Sequence, residues 1–251
     1  MATKYDLALI VGHGTDSEGN WDCGCAYKYN GKTYTEADLM YKIVKEAVVY
    51  LRRSGLKIWT DADIDNKMNM LATVRKANEL KIGTYISVHC DYSKAPSGTL
   101  PIYCKGSSKG KKLAQTLNKV VMKEMKLKGR GYLANDDYEV NATDGVACIF
   151  ETGSINADLS KLKDYKAYGK ALAKAICEYF NIPLITTTKK LFTIKTKRNL
   201  IVRKTSSLMS AKLDVIKENT TWNILATDKN GTRGLTKKGW ITITDKYVEK
   251  L

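Results

Sequence analysis

The chain has 251 residues, of which 43% are hydrophobic and 27% charged, and its formal net charge is +16. This composition is that of a folded protein of one or two domains, and it excludes a disordered chain. The longest apolar stretches have the length of a strand, which excludes a membrane-spanning helix, and the run at Leu7–Val11 is too short for a secretory signal. We therefore expect a protein that is made in the cytoplasm without a signal peptide.

The first 182 residues alternate between buried strands and amphipathic helices. Apolar runs predict strands at residues 5–12, 56–60, 84–88 and 146–150, and apolar stripes at helical spacing predict helices that begin near residues 35, 68, 109 and 159. Thr35 is a suitable N-cap for the first helix, and the last helix is expected to continue to about Phe180. Because strands that alternate with helices usually pair in parallel, we expect an α/β fold with a mainly parallel twisted sheet flanked by helices.

The pattern changes after Pro183, where helical periodicity ends. Short strands are predicted at residues 200–204, 213–216, 222–227, 239–244 and 247–248, and Asn230-Gly231 is a hairpin-turn signal. Five short strands in about 60 residues are typical of a small all-β barrel. The predicted organisation is an α/β domain at residues 1–182, a linker at 183–189 and a barrel at 190–251.

The positive charge is concentrated in the last quarter of the chain. Residues 189–251 carry a net charge of +10, and the preceding residues carry +6. Such a basic domain favours a polyanionic partner. Charge alone does not distinguish nucleic acid from an anionic membrane or an anionic cell-wall polymer. Trp222 and Trp240 lie among these charges and favour a binding surface over a merely solvated one.

The six cysteines do not have the spacing of a zinc cluster or of a disulfide framework. Cys23-Gly-Cys25 is not a CxxC motif, and no second pair follows at finger spacing. In a chain without a signal peptide, reduced and mostly structural thiols are expected. Cys23 and Cys25 are the exception to this expectation, because they lie in a glycine-rich loop.

Both histidines of the chain, His13 and His89, follow predicted buried strands, and Glu151 follows the strand at 146–150. Glu36 opens the first helix. Because ligands of parallel sheets bind at the carboxyl ends of the strands, these four side chains are expected at one edge. Two histidines and one carboxylate form an established zinc ligand set, and a second glutamate that stays off the metal can transfer protons.

These residues lie in the motifs Val11-Gly12-His13-Gly14, Glu36 at a helix start, Ile86-Ser87-Val88-His89 and Phe150-Glu151-Thr152-Gly153, with Arg75, Asn78 and Ser97-Gly98 around them. The set of motifs resembles the type 3 family of zinc-dependent N-acetylmuramoyl-L-alanine amidases. The resemblance covers residues 5–182 and implies cleavage of the amide between muramic acid and the first L-alanine of peptidoglycan. It implies Zn²⁺ bound by His13, Glu36 and His89, with Glu151 as the catalytic glutamate.

The tail contains two short motifs, at residues 199–203 and 239–241, that resemble those of a bacterial SH3-type cell-wall-binding domain. Asn199-Leu-Ile-Val-Arg203 is similar to its opening element, and Gly239-Trp240-Ile241 is similar to its GW strand. An amidase that is followed by such a module and lacks a signal peptide resembles a phage endolysin. The expected partners are then peptidoglycan and anionic wall polymers, with neither nucleic acid nor a membrane as a partner.

Two other functions remain open at this point. A basic nucleic-acid-binding protein would show salt-dependent binding and would give the two histidines no special role. A zinc peptidase that acts within the stem peptides of the wall would share the metal site and differ only in the bond that it cleaves.

Overall fold

The computed structural model describes residues 4–186, 190–228 and 230–251. The chain forms two compact units. The first extends to Tyr179, and the second begins at Phe180 and includes Arg53–Gly55. Thr187 to Lys189, in the predicted linker, lie outside the described residues. No helix among the described residues is long and apolar enough to cross a membrane.

The first unit contains ten strands and six α-helices in the residues that the structure describes. The strands are β1 (Leu7–Val11), β2 (Gly14–Thr15), β3 (Trp21–Asp22), β4 (Ala26–Tyr29), β5 (Lys32–Thr35), β6 (Ile58–Trp59), β7 (Thr84–Asp91), β8 (Leu100–Cys104), β9 (Leu133–Asn135) and β10 (Val146–Ser154). The helices are α1 (Glu36–Arg53), α2 (Met70–Glu79), α3 (Ser108–Met125), α4 (Tyr138–Asn141), α5 (Leu159–Leu162) and α6 (Tyr165–Tyr179). A 3₁₀-helix spans Asp61–Ile64.

Six of these strands form one sheet in the order β6-β1-β7-β10-β8-β9. All neighbours pair in parallel except β10 and β8, which are antiparallel. The expected α/β fold with a mainly parallel sheet is therefore confirmed. β1, β7 and β10 lie next to one another, so their carboxyl ends meet at one edge of the sheet.

Apolar side chains bury the sheet between helices. On one face, Tyr85 of β7 and Ile149 of β10 pack with Val74 of α2 and Val140 of α4. α1, α3 and α6 belong to a second helical layer, in which Gly169 of α6 allows close approach to α1. The fully buried β1 has no polar side chain, as expected for a strand that is covered on both faces.

The first helix begins where its sequence predicts. Thr35 Oγ1 accepts a hydrogen bond of 3.3 Å from the Asp38 backbone N–H, which is an N-cap interaction. The stripe from Leu39 to Leu51 is buried, and the chain turns at Gly55, whose φ of +92° favours glycine. This N-cap fixes the first turn, and Glu36 is the first residue of that turn.

Several sequence predictions for the first unit need correction. The single helix predicted at 159–180 is divided into α5 and α6, because the helix ends at Leu162 and resumes at Tyr165. The strands predicted to stop before His89 and Glu151 continue to Asp91 and Ser154. Strands β8 and β9, helix α4 and the β4–β5 hairpin were not predicted.

From Phe180 onward, the second unit is all-β in the residues that the structure describes. Its strands are β11 (Phe192–Thr196), β12 (Leu200–Arg203), β13 (Lys212–Ile216), β14 (Thr221–Ile224), β15 (Ala226–Thr227), β16 (Arg233–Thr236), β17 (Gly239–Thr242) and β18 (Val248–Lys250). They form two sheets, β14-β11-β18 and β13-β12-β17-β16-β15. The hairpin predicted at Asn230-Gly231 is confirmed, because β15 and β16 pair antiparallel around it. β11 and β16 were not predicted.

The two tryptophans of this unit differ in exposure. Trp240 is only 2% exposed and packs against Ile185 and Leu235, so it belongs to the core. Trp222 is partly exposed, with the Nζ atoms of Lys237 and Lys238 at 5.8 and 5.6 Å from its ring centroid. The expectation that both tryptophans serve a binding surface is therefore wrong for Trp240.

Candidate functional site

Three side chains converge at the carboxyl ends of β1 and β7. His13 follows β1, His89 lies near the end of β7, and Glu36 is the first residue of α1. His13 Nε2 lies 3.5 Å from Glu36 Oε2, and His89 Nδ1 lies 3.1 Å from Glu36 Oε1. One nitrogen of each imidazole thus faces the same carboxylate, which is the arrangement of a metal ligand set.

Backbone N–H groups fix the Glu36 carboxylate. Cys25 N donates to Oε2 at 3.1 Å, and Cys90 N donates to Oε1 at 3.0 Å. The side chain is only 5% exposed. Burial opposes ionisation, but the hydrogen bond and charge of His89 together with the charge of His13 hold the pKa of Glu36 below its ordinary value. The carboxylate is therefore ionised and held in place before any ligand binds.

A second carboxylate orients His13. Asp22 Oδ2 lies 2.7 Å from His13 Nδ1, which fixes the ring so that Nε2 is the nitrogen that faces Glu36. Asp22 ends β3, which pairs with β2 directly after His13. Asp22 could not be recognised from the sequence, because nothing in the loop at 17–34 indicates its pairing with a residue nine positions earlier.

His89 has the same kind of partner on its other side. Glu139 Oε2 lies 3.3 Å from His89 Nε2, and Tyr85 donates a hydrogen bond of 2.9 Å to Glu139 Oε1. Burial opposes protonation of His89, yet hydrogen bonds to Glu139 and Glu36 raise its pKa well above the ordinary value. Glu139 was also missed by sequence reasoning, since it lies on the four-residue helix α4, which has no readable periodicity.

Two glycines leave space for the imidazoles. A Cβ atom on Gly12 would lie 2.4 Å from His89 Nδ1. A Cβ atom on Gly24 would lie 2.6 Å from Glu36 Oε2 and 2.7 Å from His13 Cδ2. Gly24 also has a φ of +63°, which L side chains rarely adopt. A larger residue at position 12 would therefore displace His89, and one at position 24 would displace Glu36 or His13.

Glu151 stands beside His89 in the sheet. The two residues are register partners on the parallel strands β10 and β7, so their side chains share a face. Glu151 Oε2 is buried and has no hydrogen-bond partner among the residues that the structure describes. Burial, together with the charges of Glu36 and Asp91, raises the pKa of Glu151 to about 7 against the opposing charges of His89 and Arg130. A carboxyl group with a pKa near neutrality is suited to accept and return a proton.

These residues fit a zinc ion. The donor set of two imidazoles and one carboxylate is that of known catalytic zinc sites, and the ligand atoms of His13, Glu36 and His89 lie within 4.8 Å of one another. Each imidazole also presents its second nitrogen to a carboxylate, a common arrangement around zinc-bound histidine. The unpartnered Oε2 of Glu151 is a further buried acceptor in the same site.

A cleft of about 300 Å³ opens onto the two histidines. Asp22 forms part of its wall, and Asn69, Met70 and Leu71 at the start of α2 line it as well. The cleft thus combines an apolar wall with the polar groups of the site, as is usual for small-ligand sites.

Comparison with protein families places the first unit in a known family. Residues 7–180 match the model of the Amidase_3 family, described as N-acetylmuramoyl-L-alanine amidase. Since this match covers more than half of the chain, the chain belongs to the N-acetylmuramoyl-L-alanine amidase family. Comparison with curated proteins gives no match.

Solved structures share the same fold at low sequence identity. An N-acetylmuramoyl-L-alanine amidase from Clostridium difficile 630 is 17% identical with a TM-score of 0.62, covering 71% of this chain and 98% of its own. AmiC2 of Nostoc punctiforme is 21% identical with a TM-score of 0.60, covering 70% and 97%. The catalytic domain of the CD27L endolysin, which targets Clostridia difficile, is 16% identical with a TM-score of 0.57, covering 69% and 97%.

Proposed function

We propose that this protein is a zinc-dependent peptidoglycan hydrolase that cleaves the amide between N-acetylmuramic acid and L-alanine. The observation that supports the proposal most strongly is the convergence of His13 Nε2 and His89 Nδ1 on the Glu36 carboxylate. His13, Glu36 and His89 would hold the metal ion. When bound, zinc would polarise the scissile carbonyl and lower the pKa of the attacking water to about 7.

Glu151 would be the general base and then the general acid. Its carboxylate would take a proton from the attacking water and deliver it to the nitrogen of the leaving alanine. Burial beside His89 favours this role, because a carboxyl group whose pKa is about 7 both accepts and returns protons near neutral pH.

Asp22 and Glu139 would be positioning residues. Each accepts a hydrogen bond from the imidazole nitrogen that points away from Glu36, which fixes the tautomer and the ring orientation of His13 and His89. Neither residue would contact the substrate amide in this proposal. Their substitution should therefore act first on metal affinity.

The second unit would be an SH3-like wall-binding domain, and the whole protein would act as an endolysin. A wall-binding role for this unit is supported by the charge of +10 in residues 189–251 and by the partly exposed Trp222 beside Lys237 and Lys238. An aromatic ring with adjacent cations suits an anionic polymer of the cell wall, and attachment would raise the local enzyme concentration on the substrate. Synthesis in the cytoplasm followed by action on the wall belongs to the same proposal.

Digestion of purified peptidoglycan tests the cleaved bond. We expect new free amino groups on L-alanine and intact lactyl-muramic acid ends, detected by mass spectrometry of the released fragments. New amino groups on any other residue of the stem peptide would instead assign a peptidase. Tight DNA binding that weakens with salt, without any wall digestion, would favour the nucleic-acid alternative.

Charge reversal at Lys237 tests the role of the tail. Lys237→Glu is expected to lower sedimentation with purified cell walls several-fold in low salt, because it places a carboxylate beside the Trp222 ring. Lys166→Glu, in the first unit, changes the net charge equally and should bind almost as well as the wild type. Equal losses in both variants would show a general effect of net charge instead of a site at Trp222.

A further inference from the structure

Two thiols that are distant in the sequence meet directly behind the Glu36 carboxylate. Cys25 Sγ and Cys90 Sγ are 4.0 Å apart, although 65 positions separate the residues. Both cysteines are free. Cys25 lies in the loop before β4, and Cys90 lies in β7 immediately after His89.

The backbone of the same two cysteines already holds Glu36. Each carboxylate oxygen accepts one N–H, from Cys25 or from Cys90, and each also faces one imidazole nitrogen. A carboxylate has about four acceptor positions, and here two take the backbone N–H groups while the other two face the imidazoles and the proposed zinc site. A second metal ion held by both thiols and Glu36 would have to displace these contacts, and the close thiol pair therefore favours a covalent link over a second metal site.

The two thiols differ in access. Cys90 is only 3% exposed, whereas Cys25 is partly exposed. Cys25 Sγ also lies 3.5 Å from the carbonyl oxygen of Cys90 and 3.6 Å from that of Asp91, which directs it toward β7. A reagent from solvent would thus reach Cys25 first, and Cys90 would be in place to react second.

We propose that Cys25 and Cys90 are a redox modification site that closes to a disulfide against the back of the Glu36 carboxylate. The sulfur of Cys25, having lost its proton, attacks a small-molecule disulfide and releases one thiol. The sulfur of Cys90 then attacks Cys25 Sγ, loses its proton and releases the second thiol. Both cysteines are oxidised, the small disulfide is reduced to two thiols, and the Sγ atoms approach from 4.0 Å to about 2.05 Å.

The disulfide would join the Cys25 loop to β7 through the two residues whose backbone N–H groups donate to the Glu36 carboxylate. Closing a chain segment of this length restricts the unfolded state, so the oxidised protein should unfold at a higher temperature. The formation of the disulfide does not depend on the proposed amidase reaction, and its test therefore needs no substrate.

The test treats the full-length protein with oxidised glutathione and compares it with reduced protein. We expect the loss of two of the six thiols, a cross-link between tryptic peptides 5–28 and 82–94, and a rise in Tm that a reductant reverses. Cys25→Ser should abolish all three effects. Cys23→Ser is the matched control and should retain them, because Cys23 lies on the same tryptic peptide but does not contact Cys90.

Three results would overturn the proposal. They are six unmodified thiols, a glutathione adduct on Cys25 without the cross-link, and a cross-link that persists in Cys25→Ser but disappears in Cys23→Ser. The use of Cys25→Ser, at a partly exposed position, avoids the risk that a substitution at the buried Cys90 prevents folding.

Discussion

Glu151→Gln is expected to lower the rate of peptidoglycan cleavage by a factor of about 10² to 10⁴ while zinc remains bound. The amide has nearly the same shape as the carboxylate but cannot take a proton from water or return one to the leaving nitrogen. Glu151 lies beside His89 without a hydrogen bond to a metal ligand, so the ligand set should be unaffected. The clearing rate of purified cell walls and the zinc content of the same sample measure both effects.

Glu79→Gln is the matched control for this substitution. Glu79 is exposed and pairs with Lys76 at the end of α2. Its variant should clear walls at the wild-type rate. A near wild-type rate in zinc-loaded Glu151→Gln would remove Glu151 from the reaction and require another proton carrier.

Removal of zinc by a chelator should abolish wall cleavage, and added zinc should restore it. His13→Ala is expected to lose stoichiometric zinc, because a ligand set of three would be reduced to two. Asp22→Asn and Glu139→Gln should weaken zinc binding by about 10- to 100-fold, since each removes a carboxylate that orients an imidazole. Competition with a chromophoric chelator measures these affinities independently of activity.

Asp144→Asn is a suitable control for these variants, because Asp144 is exposed and belongs to the same unit. It should bind zinc like the wild type. Far-ultraviolet circular dichroism establishes that each variant is folded. Cleavage that is indifferent to chelation, or full zinc content in His13→Ala, would contradict the proposed metal site.

Much of the sheet could be predicted from the sequence because its central strands are buried on both faces. Continuous apolar runs such as Leu7–Val11 and Val146–Phe150 are distinct from helical stripes. Strand β8 was harder to recognise, because it contains Pro101 and proline argues against a strand interior. Helix α4 has only four residues, which is too short for a periodic pattern.

The site followed from the same reasoning only in part. His13, His89 and Glu151 could be placed at one edge because parallel strands end there, and Glu36 could be placed by its helix start. Asp22 and Glu139 could not, because a short strand pair and a four-residue helix bring them to the imidazoles. The contact between Cys25 and Cys90 likewise depends on the path of the loop, which no local pattern specifies.

The site has one half that strand pairing holds, through the register of β7 and β10, and one half that side chains hold. His89 and Glu151 are anchored in adjacent strands whose ladder of hydrogen bonds fixes their spacing. His13 instead lies between β1 and the two-residue strand β2, where Asn66 donates to its carbonyl oxygen and Asp22 contacts its ring. A substitution that disturbs the β7–β10 ladder should therefore move His89 and Glu151 together, whereas loss of Asp22 or Asn66 should act on His13 first.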